Sequence, residues 1–163
     1  MLTGPPEERA QMDTDSVLAE LTYEDPAVAL AWLAEAFGFE TRIIVADDTG
    51  RIVFAETGWG EQTVAIVPED GDRLRSPREL GGVNTQMVRM RSGGDVNRHC
   101  AQARAAGAVI VTEPQDLFFG DRAYLAADLE GHLWSFSQRI PGAGGPPPPG
   151  WTVRFPSRAG EAA

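Results

Sequence analysis

One pattern of elements is written twice in this chain, and that repeat limits the folds open to it. Val17–Tyr23 (VLAELTY) alternates apolar and polar residues as a half-buried strand does. Asp25 then offers a helix N-cap, and Pro26 suits the first helical position. Ala29, Trp32, Leu33, Ala36 and Phe37 fall on one helical stripe, which Gly38 closes. Three strands follow, near Glu40–Ala46, Arg51–Thr57 and Gln62–Val67, with DDTG and GWG as turns. The pattern restarts with the strand NTQMVRMR. Asp95 caps a helix whose stripe is Val96, Cys100 and Ala103, ended by Gly107, and strands near Val109–Thr112, Arg122–Ala127 and Leu133–Arg139 complete it. A constant offset aligns Arg51 with Arg122, Ala55 with Ala126 and Gly60 with Gly131. The unit is strand–helix–strand–strand–strand, βαβββ, in two copies.

The fold class that follows is α+β, with two βαβββ modules in a single domain over residues 15–140. Module one is expected over 15–69, a charged linker over 70–82 and module two over 83–140. Residues 1–14 are polar and aperiodic and read as a flexible N-terminal segment. Residues 141–163, rich in proline and glycine, read as an extended tail in which Trp151 and Phe155 are the large apolar residues. A chain of 163 residues suits one domain with a sizeable core.

Charge and composition remove several function classes. The formal net charge is −10, from 24 acidic and 14 basic residues, so a nucleic-acid partner is not expected. Every basic residue is arginine, which rules out a Schiff-base lysine, a P-loop lysine and a lysine general base. The single cysteine, Cys100, leaves no internal disulfide and reads as a buried helix residue. No apolar run long enough to span a membrane and no export leader is legible, and a cytoplasmic protein is expected.

Three stretches, DPAVALAWLAEAFGFE, GDVNRHCAQARAAGA and FGDRAYLAADLEGHLWSFSQ, resemble the vicinal oxygen chelate superfamily. That superfamily includes glyoxalase I, bleomycin-resistance proteins and extradiol dioxygenases. The resemblance covers about Val17 to Arg139, with Leu129 where the family's turn usually has proline. It implies a curled mixed sheet around a central cavity, and homodimers. In metal-dependent members it also implies four ligands of His, Glu or Gln type, one from the first and one from the last strand of each module, facing the concave side.

Carried over one at a time, those positions fall on Leu18 (with Glu20 next on the same face), Val64, Val88 or Gln86, and Ser135. That set is a poor home for a divalent cation, so no metal and no cofactor is expected. The two histidines do not replace it. His99 reads as an exposed helix-flank residue, and His132 as a turn residue bonded to backbone beside Asp128 and Glu130. Glu20 with Glu56 forms a carboxylate pair that suits a soft transition metal badly.

Strand alternation supplies the pocket candidates. Leu18, Glu20 and Thr22 share a face, as do Leu133, Ser135 and Ser137, and Gln62, Val64 and Ile66 are given cavity parity. Glu20, Glu56, Gln86 and Arg122 are candidate orienting groups, with Arg122 placed either to clamp a carboxylate or to pair with Asp121, Asp128 or Glu56. Trp59 and Phe118 are loop aromatics able to stack on a flat ligand. Ligand-binding residues are therefore expected among Leu18, Glu20, Thr22, Glu56, Trp59, Gln62, Val64, Gln86, Val88, Phe118, Arg122 and Ser135. Three functions fit these residues. One is a metal-free protein that sequesters a hydrophobic or aromatic, even cationic, small molecule such as an antibiotic. The others are a metal-dependent glyoxalase-like lyase, isomerase or dioxygenase, and a metal-free enzyme with Glu20 or Glu56 as base.

Overall fold

The computed structural model describes residues 17–92 and 94–155. The expected N-terminal segment, 1–14, and the end of the tail lie outside them. The elements run β1 (Ala19–Tyr23), α1 (Pro26–Phe37), β2 (Glu40–Ala46), β3 (Ile52–Trp59), β4 (Gln62–Pro68), β5 (Met87–Ser92), α2 (Val96–Ala105), β6 (Val109–Asp116), β7 (Asp121–Ala127) and β8 (Leu133–Arg139). Both βαβββ units are present, in an α+β fold. The caps are those read from the residues. The Asp25 carboxylate accepts from Ala27 N and Val28 N, and Asp95 accepts from Asn97 N and Arg98 N. Gly38 ends α1 at φ 70°, in the left-handed region that glycine enters without a Cβ penalty.

Each module makes a four-stranded mixed sheet, ordered β1-β4-β3-β2 in the first and β5-β8-β7-β6 in the second. In both, the first strand runs parallel to the last, and the remaining pairs are antiparallel. This is the topology that a crossover helix followed by two hairpin connections must give.

One core serves both modules. Leu21, Leu33, Phe37, Phe39 and Ile66 from the first meet Met90, Val96, Cys100, Trp134 and Phe136 from the second, all buried. The Phe37 ring stands 4.6 Å from Phe136 and 5.6 Å from Trp134. The two helices also exchange side-chain bonds. Trp32 Nε1 donates to Ala106 O at 2.9 Å, and Gln102 Nε2 donates to Glu35 O at 2.9 Å. These carbonyls belong to helix ends, which lack intrahelical partners.

His99 corrects its expected exposure. It is 8% exposed and sits between the modules. Its Nε2 lies 2.9 Å from Phe37 O at the end of α1, and a carbonyl only accepts, so Nε2 carries the proton. Nδ1 then accepts from Tyr124 OH at 2.7 Å. Trp59 stacks on the imidazole at 4.7 Å. The ring is thus held neutral, and burial pushes its pKa below the ordinary 6.5. The spacing Val96, His99, Cys100, Ala103 is a core stripe in which histidine holds one place.

The neutral His99 makes stability pH-dependent in a defined direction. Above 6.5 neither the folded nor the unfolded chain protonates it. As pH falls through 6.5, the unfolded chain takes up a proton that the folded chain refuses. The melting temperature is expected to fall between about pH 7 and about pH 5. His99→Gln is expected to lose about 1–2 kcal/mol at neutral pH, yet to show a shallower decline in acid. Parallel acid slopes in the two proteins would contradict this account.

Candidate functional site

Paired residues on adjacent strands point to the same side of a sheet, so the register assigns a face to every candidate. Val64 pairs with Ala19, and Ile66 with Leu21 and Ala55, all on the face that packs on the helices. Val88 pairs with the fully buried Trp134 on the same helix face. This corrects the expected facing of Val64 and Val88, neither of which reaches the opposite, open face. Trp59 is also drawn to the helix side, against His99 and Phe136.

Arg122 is corrected too. It pairs with Gln138, whose Oε1 accepts from Val96 N at the start of α2. The guanidinium reaches Asn97 Oδ1 at 3.0 Å and Asp116 Oδ1 at 2.7 Å, on the helix side. Its partner is therefore Asp116, outside the three carboxylates expected.

The open face holds Glu20, Thr22, Glu56 and Ser135. On module one, Glu20 pairs with Ala65, and Ala65 with Glu56, so the two carboxylates flank an alanine across three strands. Thr22 lies beside Val67, and Ile43, Val45 and Phe54 continue the surface, half-buried. Leu18, just before β1, is exposed. On module two, Arg89 pairs with Ser135 and Arg91 with Ser137, with Leu125 and Ala123 on the next strand. Phe118 sits away from both rows, where the tail folds back: Gly145 N donates to Phe118 O at 2.8 Å, and Trp151 packs edge-on to the ring at 6.3 Å. A cleft of about 230 Å³ between Glu24–Ala27 and Gly50–Ile52 is lined by none of the expected site residues.

Gln62 and Gln86 span the seam between modules. Gln62 Nε2 donates to Arg91 O at 2.6 Å, and its Oε1 accepts from Arg91 N at 2.9 Å. Gln86 Nε2 donates to Glu20 O at 3.5 Å. His132 does from the second module what Gln62 does from the first: its Nε2 donates to Thr22 O at 2.7 Å. Gln62 and His132 stand at or just before the last strand of their module, Gln86 just before the first strand of its own, and all three reach the first strand of the other module.

The turn DLEGH completes this seam. Asp128 is buried, and its carboxylate takes four donors. Oδ2 accepts from Tyr23 OH at 2.5 Å and Trp134 Nε1 at 2.9 Å, while Oδ1 accepts from Glu130 N and His132 N, each at 3.0 Å. Glu130 turns the other way and accepts from Glu24 N at 2.8 Å and Asp25 N at 3.3 Å. Burial first, and then the Asp128 charge, push the Tyr23 phenol well above its ordinary range, so it remains a donor. Expected to be a local turn, the stretch joins the modules as well. Among the described residues, no group of three or more His, Cys, Asp or Glu is placed to hold a metal ion.

The fold and these motifs agree with comparison to known proteins. The chain belongs to the Glyoxalase/Bleomycin resistance protein/Dioxygenase superfamily, whose family model matches residues 16–136. It is 31% identical over 152 residues to an uncharacterised protein of Mycobacterium tuberculosis, covering 85% of this chain and 88% of that one. Among solved structures it is similar to TioX from Micromonospora sp. ML1, at 34% identity and TM-score 0.62, over 77% of this chain and 97% of that one. The fold is shared with a fosfomycin resistance protein, FosX, from Listeria monocytogenes, at 14% identity and TM-score 0.56, over 79% of this chain and 96% of that one. No helix among the described residues is long and apolar enough to cross a membrane.

The four Asp128 bonds make a direct prediction. Asparagine there offers one oxygen and turns its amide hydrogens toward donors. Asp128→Asn is expected to cost about 2–4 kcal/mol in urea unfolding. A change below about 0.5 kcal/mol would show that the carboxylate does not hold the seam.

Proposed function

We propose that this chain binds an organic small molecule directly on the open faces of its sheets, without a metal. The observation that carries this reading is the residue set where first and last strands meet there: Glu20 with Ala65, and Arg89 with Ser135. Divalent transition metals need several histidine, carboxylate or thiolate donors converging on one point. Alanine offers none, and arginine remains a cation at every working pH and repels the ion. Glu20 and Glu56 stand two strand spacings apart, about 10 Å along the hydrogen-bonding direction, with no histidine between them. The residues thus do not fit the family's metal, and no reaction step is assigned through one.

What remains suits binding. Ile43, Val45, Phe54 and Leu125 supply half-buried apolar area, and a few polar groups stand among them. Mostly apolar surface with sparse orienting groups is the ordinary chemistry of a small-molecule site. The proposed ligand is hydrophobic or aromatic, and the role is sequestration, in the manner of the bleomycin-resistance branch of the family. A homodimer working in the cytoplasm completes the proposal. Membership of a superfamily that spans many chemistries does not choose among them; the donor set supports the metal-free reading.

Metal analysis of freshly purified protein, with melting curves in Zn, Ni, Mn and Fe salts, tests the proposal first. Metal far below one equivalent, and no stabilisation by any cation, are expected. A panel of planar natural products is then expected to raise the melting temperature stoichiometrically without being consumed. Near-stoichiometric metal with a raised melting point would overturn the proposal and return Glu20 and Glu56 to the position of ligands.

A further inference from the structure

We infer that the open face of module two is an anion seat, in which Arg89 and Arg91 grip a carboxylate, sulfonate or phenolate of the ligand over a floor made by Ser135 and Ser137. This deepens the binding proposal and rests on it, because it names the chemistry of the group that the site would orient.

Four observations meet here. Arg89 and Arg91 stand two residues apart on β5, hence on one face, and their strand partners on β8 are Ser135 and Ser137. The Arg89 side chain has no hydrogen-bond or ion-pair partner among the described residues, whereas Arg122, Arg104 and Arg78 are each engaged with a carboxylate. Ser137 is 2% exposed, and its Oγ is buried with no partner. A buried hydroxyl left unpaired costs free energy, and a ligand oxygen at this spot removes that cost. The fourth observation is charge. The chain is strongly acidic, yet this row carries three guanidinium groups, Arg89, Arg91 and Arg139, against one carboxylate, Asp121. Asp121 is 3% exposed, with Arg139 at 3.2 Å and Arg91 at 3.8 Å. Asp121 stands in ion-pair range of Arg91 and Arg139, with its Oδ1 still lacking a hydrogen-bond partner, and Arg89 has no carboxylate beside it.

The geometry suits a planar anion. A guanidinium presents paired N–H donors that match two oxygens of a carboxylate or sulfonate. Leu125 and Ala123, beside the serines on β7, offer a low apolar wall against which a ring can lie. Module one lacks this arrangement. Its corresponding row is Glu20, Ala65 and Glu56, which repels anions. The two open faces of one chain therefore differ in sign, and a ligand with one acidic group has a defined seat and direction.

Three probes that share one ring system test the inference: 2-naphthoate, 2-naphthylmethanol and 2-naphthylmethylammonium. Binding is followed by NMR titration of backbone amides and arginine Nε–H resonances. The naphthoate is expected to bind about tenfold or more tightly than the alcohol, with the cation weakest. Its shifts are expected to centre on Arg89, Arg91, Ser135 and Ser137, and to weaken with salt. Arg89→Gln with Arg91→Gln is expected to erase the preference for the anion, bringing the naphthoate down to the affinity of the alcohol. Arg98→Gln, on the exposed side of α2, is the control and is expected to change neither. If anion and alcohol bind equally, the anion seat falls while binding on the open face stands. If the preference survives in the double variant, the anion is held elsewhere and the inference falls. If none of the three probes binds, the open-face reading falls and the seat falls with it.

Discussion

The four donors gathered by the Asp128 carboxylate hold the rest of the molecule in place. The group brings together a phenol from β1, an indole from β8 and two amides from the turn that starts β8. A buried carboxylate is costly unless its lone pairs are filled, and here each oxygen has two partners. Tyr23 and Trp134 belong to different modules, so the same bonds that satisfy the charge fix one half of the fold against the other. Glu130, His132 and Gln86 work on the same boundary. They occupy backbone groups at Glu24, Asp25, Thr22 and Glu20, along an edge strand that has no neighbour in its own sheet on that side. Unpaired strand edges invite pairing with other chains. This one is closed by side chains.

The consequence for function is positional. Because β1 and β5 are pinned across the seam, the open faces of the two sheets keep a fixed relation, with carboxylates on one and arginines on the other. The helix faces are given over to a continuous aromatic core in which His99 is a neutral, doubly bonded member. Side chains on that side are committed to packing: Trp59 to the imidazole, Arg122 to Asn97 and Asp116. The surface not committed to packing on the helices is the other side, and its chemistry is set by which residues the pleat sends there.

How much of this the residues announce depends on the kind of signal. Helix caps, turns and the repeated βαβββ order rest on local chemistry and were legible from Asp25, Gly38 and Asp95. Facing was misread at Val88 of β5, which the family's ligand position put on the cavity side although alternation in NTQMVRMR sets it with Met90, opposite Arg89 and Arg91. It failed for β4 as well, because a single constant offset was carried through the whole repeat. Two residues, Gly60 and Glu61, join β3 to β4, while five, Asp128 to His132, join β7 to β8. The open-face residues of β4 are accordingly Ala65 and Val67 and not Val64, because a slip by an odd number of residues turns a strand over. His99 was missed because a polar residue at a core position is recognised by its partners, and Phe37 O and Tyr124 OH are distant in sequence. Arg122 was placed on the wrong side for the same reason: Asn97 is brought to it by the fold.

The boundary between the modules is bridged by Gln62, Gln86 and His132 instead of by a ladder of peptide bonds. A ladder has one spacing, dictated by the backbone. A boundary spanned by side chains has whatever width those side chains possess. In this architecture the distance between the two sheets is therefore a side-chain dimension, set by Gln62, Gln86 and His132 together with Asp128 and Glu130.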